Sequence, residues 1–413
     1  MAGPATGVEV TQTSQNTIRK AADQAERRLR RVGAWLLLYL ALQTELGLAW
    51  DRNWHDLIGR DQFWTLPHIM MYVGIGGAGI IALVVIMVDT LRYQRKAPGV
   101  DDTNTIHVLG IFHAPIGYVL LGFGALTDLA AAPLDNYWHT LYGIDVTLWS
   151  PFHVMGTLGG ILEGIGILYI FGSEIVAERV SSNSPRRFLG FSPLEWGMLA
   201  VLAAYMSLTI PALTAFIPVA LGPVQLFTYA LPLALAGGFS LASALQATHK
   251  PGSATLTAAL LIIQSLYTQA FVPFALTTSV SLLHISYRFA DRRPTFNLTL
   301  ALIPLLFLIA AVTLDLLAYR RYRHQQSRKV ATAILPATWL AALVIAIPAS
   351  IIPALLVWFV NLLPAFSPLP AGMFALQAQL QDALVALPVA CIVAVASVLC
   401  GRVFGDIWYM NRQ

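Results

Sequence analysis

Ten apolar blocks run along the chain, most of them long enough for a helix to cross ~30 Å of hydrocarbon, which takes ~20 residues. They fall at roughly 32–50, 66–90, 105–129, 147–172, 193–215, 222–246, 254–286, 295–319, 330–362 and 385–408. Only 11% of the 413 residues are charged, against about 25% in soluble domains, which excludes a water-soluble enzyme. The expected fold is an all-α, polytopic transmembrane bundle of about ten spans. Blocks 254–286 and 330–362 are long and interrupted by proline, so each is expected to tilt, kink or re-enter.

Charge placement sets the expected topology, because cytoplasmic loops carry the excess of Lys and Arg. With ten spans, Arg19 to Arg31, Arg92, Arg95, Lys96, Arg179, Arg186, Arg187, Lys250, Arg320 to Lys329 and Arg402 fall inside, together with both termini. The loops at 51–65 and 130–146 then lie outside, in a bacterial or archaeal cytoplasmic membrane. The group Arg288, Arg292 and Arg293 is the exception to the rule.

Residues 1–18 read as disordered and 19–31 as a basic amphipathic helix on the headgroups. The region 32–180 holds nearly all the unusual polar residues. By contrast, 190–413 reads as apolar helices and basic loops of unknown role. The net charge of +4 forms no basic face, so nucleic acid is not an expected partner. Cys391 and Cys400 lie ~13 Å apart along one helical segment, too far for a disulfide.

Within 32–180 one motif occurs twice. The first copy runs Asp51-Arg-Asn-Trp54-His55-Asp-Leu-Ile-Gly59-Arg60-Asp61, then Phe63-Trp64-Thr-Leu-Pro67-His68. The second runs Asp135-Asn-Tyr-Trp138-His139-Thr-Leu-Tyr-Gly143-Ile-Asp145, then Trp149-Ser-Pro151-Phe-His153. The residues coincide at six positions at a constant offset of 84, and the last histidine slips by one. Each copy is helix, polar loop, helix: an internal two-fold repeat.

The spacing has a chemical meaning. Asp51 and His55 are four apart and share a helix face. Pro67 suits the first turn of the next helix, which puts His68 at its mouth, facing the loop. Asp135, His139 and His153 repeat the pattern. One carboxylate and two imidazoles form a ligand set for copper, non-haem iron or zinc. Arg60, Asp61, Asp145, Trp54 and Trp138 are the expected supporting residues around these ligands. The plainer reading makes His and Trp interfacial anchors and the extra acids loop caps.

Four further ionisable residues fall within or near the spans. Glu45 and Asp128 sit near the outer ends of the helices that lead into the motifs. His113 and Glu163 are placed at comparable depth, where they would pair. All four are candidates for a proton relay, or else make local hydrogen bonds. Small-residue faces at Gly156, Gly160 and Gly164, and at Gly74 to Gly79, predict that the helices following His68 and His153 pack together.

These residues resemble the C subunit of the copper membrane monooxygenases, the particulate methane and ammonia monooxygenase family. Asp51, His55 and His68, flanked by Arg60-Asp61, Phe63 and Pro67-His68-Ile69, match its Asp-x3-His-x12-His site. Asp135, His139 and His153 resemble its Asn-x3-His-x13-His site, with aspartate where the family has asparagine. The resemblance covers about 30–175. It implies copper, O2-dependent hydroxylation of a small apolar substrate or ammonia, a quinol or other electron donor, and A- and B-type partner subunits or a homo-oligomer in the bilayer. The rival is a non-catalytic membrane metal-binding protein, such as a copper carrier, sensor or assembly factor. The 9 methionines and 2 cysteines form no stripe of soft ligands, which disfavours copper(I) transport.

Overall fold

The computed structural model describes residues 6–59, 62–100, 102, 104–143, 150–180, 185–208, 219–221, 224–226, 230–296, 301, 304–328, 334–362 and 380–410. Among them are ten helices and two short hairpins. The order is α1 (Thr6–Leu57), α2 (Leu66–Gln94), β1 (Thr105–Val108), β2 (Phe112–Pro115), α3 (Ile116–Tyr142), α4 (Pro151–Val180) and α5 (Pro193–Ser207). Then follow β3 (Val219–Leu221), β4 (Val224–Leu226), α6 (Ala230–Thr248), α7 (Ser253–Leu283), α8 (Leu305–Arg328), α9 (Thr338–Leu362) and α10 (Leu380–Met410).

Seven of these helices are long and apolar enough to cross a membrane: α1 to α4, α6, α7 and α10. Of the other expected spans, α5 has 15 residues and the last third of α8 is basic from Arg320 onward. Large apolar side chains such as Ile80, Leu129, Phe274 and Ile392 point outward, an arrangement compatible with a lipid surround. The proline-interrupted block 254–286 forms one continuous helix, with Pro273 inside α7.

Two elements differ from expectation. First, α1 is a single helix of 52 residues that starts at Thr6, so the basic segment runs straight into the first apolar block. Its Glu26 and Arg30 are buried, and Arg30 pairs with Asp89 of α2 at 2.8 Å while Arg92 pairs with Glu26 at 3.0 Å. These pairs tie the segment to the bundle. Second, α3 starts only at Ile116, because 105–115 form a hairpin turned at Gly110, whose φ of +68° favours glycine.

The helices pack as two hairpins, α1 on α2 and α3 on α4, joined through α2–α3 and α1–α4, with α5 to α10 gathered beside them. The core runs through both regions: Leu37, Tyr118 and Phe171 share one apolar cluster with Met198, Ala244 and Trp408. The glycine-bearing helices α2 and α4 therefore do not form the expected pair. Gly74 and Gly77 of α2 face Thr44 and Leu40 of α1, whereas Gly159 and Gly166 of α4 face α3. Each helix packs first against the partner across its own short loop.

The α3–α4 seam is the tightest of these contacts. A Cβ on Gly166 would lie 2.7 Å from the Gly117 carbonyl oxygen and 2.7 Å from the Leu121 nitrogen, both backbone atoms that cannot turn aside. Gly166→Val is therefore expected to force the helices apart and destabilise the protein by about 1–3 kcal/mol. Thermal unfolding in detergent reads this out; an unchanged midpoint would contradict the packing.

Candidate metal centres

Each motif copy closes a helical hairpin at one end of the bundle. In the first, α1 carries Asp51 and His55 in its last two turns. The chain turns at Gly59, whose φ is +109°, and α2 opens with Pro67 in its first turn and His68 beside it. In the second, α3 carries Asp135 and His139, ends at Gly143 with φ +86°, and Pro151 begins α4 two residues before His153. The repeated glycine thus has a structural reason: it stops the helix in the left-handed region that other residues resist.

In each copy both histidines reach the aspartate, but only in the second do all three ligand atoms meet within 4.8 Å of one another. At the first, His55 Nε2 lies 3.5 Å from Asp51 Oδ2, and His68 Nε2 lies 3.2 Å from Asp51 Oδ1. At the second, both imidazoles meet the same oxygen: His139 Nε2 at 3.1 Å and His153 Nε2 at 3.4 Å from Asp135 Oδ2. Sharing one oxygen makes the second copy more compact. Among the described residues it is the group of three His or acid side chains whose ligand atoms all lie within 4.8 Å of one another. It is also the more open, with His153 32% exposed against 20% for His68.

Hydrogen bonds fix one ring in each copy. His139 Nδ1 lies 3.1 Å from the Gly143 carbonyl oxygen, and His68 Nδ1 lies 3.1 Å from that of Gln62. A carbonyl accepts and does not donate, so each Nδ1 carries the hydrogen, and a neutral ring keeps its lone pair on Nε2. That lone pair then faces a carboxylate oxygen. Two acceptors this close repel unless a proton or a cation lies with them. Asp135 Oδ1 is in addition buried without a hydrogen-bond partner. The donor set and its orientation fit a metal ion.

The supporting residues sort differently. Trp54 is buried and packs with Trp50 against Val272, Ala275 and Leu276 of α7, so it joins the first copy to the rest of the chain. The Arg288 amide donates to the Leu57 carbonyl at 2.8 Å, which covers the same end. Trp138 packs at a tilt against Tyr142 and edge-on to Phe152, the residue before His153. Tyr72, one turn beyond His68, lays its ring against that histidine at 5.9 Å, a contact the i,i+4 spacing could have suggested. Arg60, Asp61 and Asp145 lie outside the described residues.

Of the four relay candidates, His113 is misplaced by the sequence reading. It sits on β2, before the span begins. There it stacks on Tyr93 at 3.8 Å, with Nε2 2.6 Å from Asp102 Oδ1. The Thr105 hydroxyl, which donates to Asp102, is the main cause holding that exposed carboxyl below its usual range. His113 and Glu163 therefore do not pair. Glu163 lies within α4 and faces α3, as Asp128 faces α4, while Glu45 is half-buried on α1, six residues before Asp51.

Comparison with protein-family models, curated proteins and solved structures finds no match to this chain. The likeness to the copper monooxygenase subunit thus rests on the motif residues themselves.

Proposed function

We propose that this chain is an integral membrane oxidoreductase of the copper monooxygenase kind, or the metal-bearing C-type subunit of one. It would hydroxylate a small apolar compound or ammonia with O2 and electrons from a quinol or similar donor. The observation that carries the reading is the Asp135 carboxylate facing two imidazoles at 3.1 and 3.4 Å, one of them held with its Nε2 lone pair turned inward. A second arrangement of the same residue types, at Asp51, His55 and His68, supports it.

Copper held by Asp135, His139 and His153 would supply one-electron chemistry toward O2. The protein's part is to hold and orient. Asp51 and Asp135 provide the negative charge that attracts a cation, and the carbonyls of Gln62 and Gly143 set the imidazole tautomer. Tyr72 lies against His68 and carries Phe63 and Trp64 beside it, and Trp138, Tyr142 and Phe152 form an aromatic group next to the second centre, apolar surfaces that suit small substrates arriving from lipid.

In this reading the ten helices are the spans, both termini are cytoplasmic, and the centres open to the outer side. The basic group at Arg288 shares that side, held there by its bond to Leu57.

The test is O2-dependent product formation by copper-loaded protein in lipid, with a quinol donor and either short alkanes or ammonia. Product from the wild type and none from His139→Ala is expected. Copper retained without product from any substrate would overturn the enzymatic reading in favour of a carrier or assembly factor.

A further inference from the structure

The two hairpins differ beneath their triads. Asp128 of α3 fits into the notch left by Gly159 of α4, and a Cβ on Gly124 of α3 would lie 2.8 Å from Glu163 Cγ of α4. Gly124 and Asp128 are one turn apart, as are Gly159 and Glu163. The two carboxylates therefore face each other across the seam about one turn apart, on the order of 6 Å. Both residues are more than nine-tenths buried, at 7% and 8% exposure, and Asp128 Oδ1 and Glu163 Oε1 have no hydrogen-bond partner. From α5, Tyr205 closes the seam with its ring against Gly164 and its hydroxyl donated to the Ile161 carbonyl.

At the matching places of the first hairpin stand Thr44, which fills the notch of Gly74, and the apolar Ala78. Thr44 satisfies itself on the Leu40 carbonyl at 2.9 Å. The corresponding positions beneath the first triad hold no acid; its neighbouring acid, Glu45, stands one residue beyond Thr44, half-buried on α1 and outside that notch. Asp128 lies two turns from Asp135 on α3, and its Oδ1 is the atom nearest to Gly156, one turn from His153. The first triad is instead the one braced by α7 through Trp50 and Trp54.

We propose that the two triads divide the work: the second exchanges protons through a buried pair formed by Asp128 and Glu163, while the first is a structural centre. Two ionised carboxylates at this separation in an apolar seam repel, so the pair holds one proton between them. Asp128, the member nearer the triad, gives that proton to a basic group held at the second triad as its carboxyl becomes a carboxylate, and takes it back from there. The assignment rests on the metal reading above for what the triad holds, but the shared proton does not.

The test is infrared difference spectroscopy of the full chain in lipid nanodiscs at neutral pH. The metal-free wild type is expected to show one more protonated-carboxyl carbonyl stretch than the double variant Asp128→Asn/Glu163→Gln, in which Glu45 and the other buried acids remain. Adding copper(II) should shift that band in the wild type and in His55→Ala, but not in His139→Ala. Identical carboxyl bands in the wild type and the double variant, or copper bound at the second triad with no shift of the extra band, would each overturn the proposal. If copper does not bind at all, the metal reading fails, and the metal-free band decides the pair by itself. The wild-type arms need no variant to fold.

Discussion

Asp135→Asn should weaken copper binding at the second centre by on the order of 100-fold while leaving the fold intact. The carboxylate meets both imidazoles through one oxygen, so it is the hub of the site and its only negative charge among the three ligands. A unit charge ~3 Å from a divalent cation is worth several kcal/mol even at an effective dielectric of ~20. Asparagine keeps an oxygen of similar reach and therefore a dipole, which offsets part of that loss. Asp135→Ala removes the oxygen as well and should abolish occupancy. Competition against a chelator of known affinity measures both. Equal affinity in wild type and Asp135→Asn would mean that the carboxylate is not a ligand.

At the opposite end of the bundle, Arg30→Met should cost about 3–5 kcal/mol of stability, the range for breaking a buried ion pair by removing one partner. The Arg30 guanidinium reaches Asp89 Oδ2 through both Nη2 and Nε, at 2.8 and 3.2 Å, and Glu26 Oε1 at 2.6 Å. All three residues are at most 5% exposed. Without the arginine, buried Asp89 loses the two charged hydrogen bonds it accepts from that guanidinium, while Glu26 keeps Arg92. Replacing both partners should recover most of the loss, since an apolar pair of similar volume leaves no orphaned charge. The comparison of Arg30→Met with Arg30→Met/Asp89→Leu by thermal unfolding is therefore diagnostic. Two equally destabilised proteins would contradict the account of how α1 is fixed to α2.

The sequence made the helices and both triads legible because these depend on local rules. Apolar length marks a potential span, and the i,i+4 spacing of Asp51 to His55 and of Asp135 to His139 puts each pair on one face. A proline in the first turn of the next helix brings the last histidine back over them. Features that depend on which helix meets which were not legible. The register of α3 against α4 sets Asp128 opposite Glu163, and no spacing within either helix reveals it. Hydrophobicity alone extended the third span back through His113, because a short apolar hairpin and the start of a helix look alike at that length. The Arg30–Asp89 pair joins residues 59 apart, and a charged segment at a helix end reads as solvated until its partner is known.

We propose that each hairpin end holds one metal ion with an acid and two imidazoles. Counting copper per chain in purified, loaded protein tests it most directly, by elemental analysis of the wild type, His55→Ala and His139→Ala. Two ions in the wild type and one in each variant is the expected result. An unchanged copper content in both variants would contradict the account.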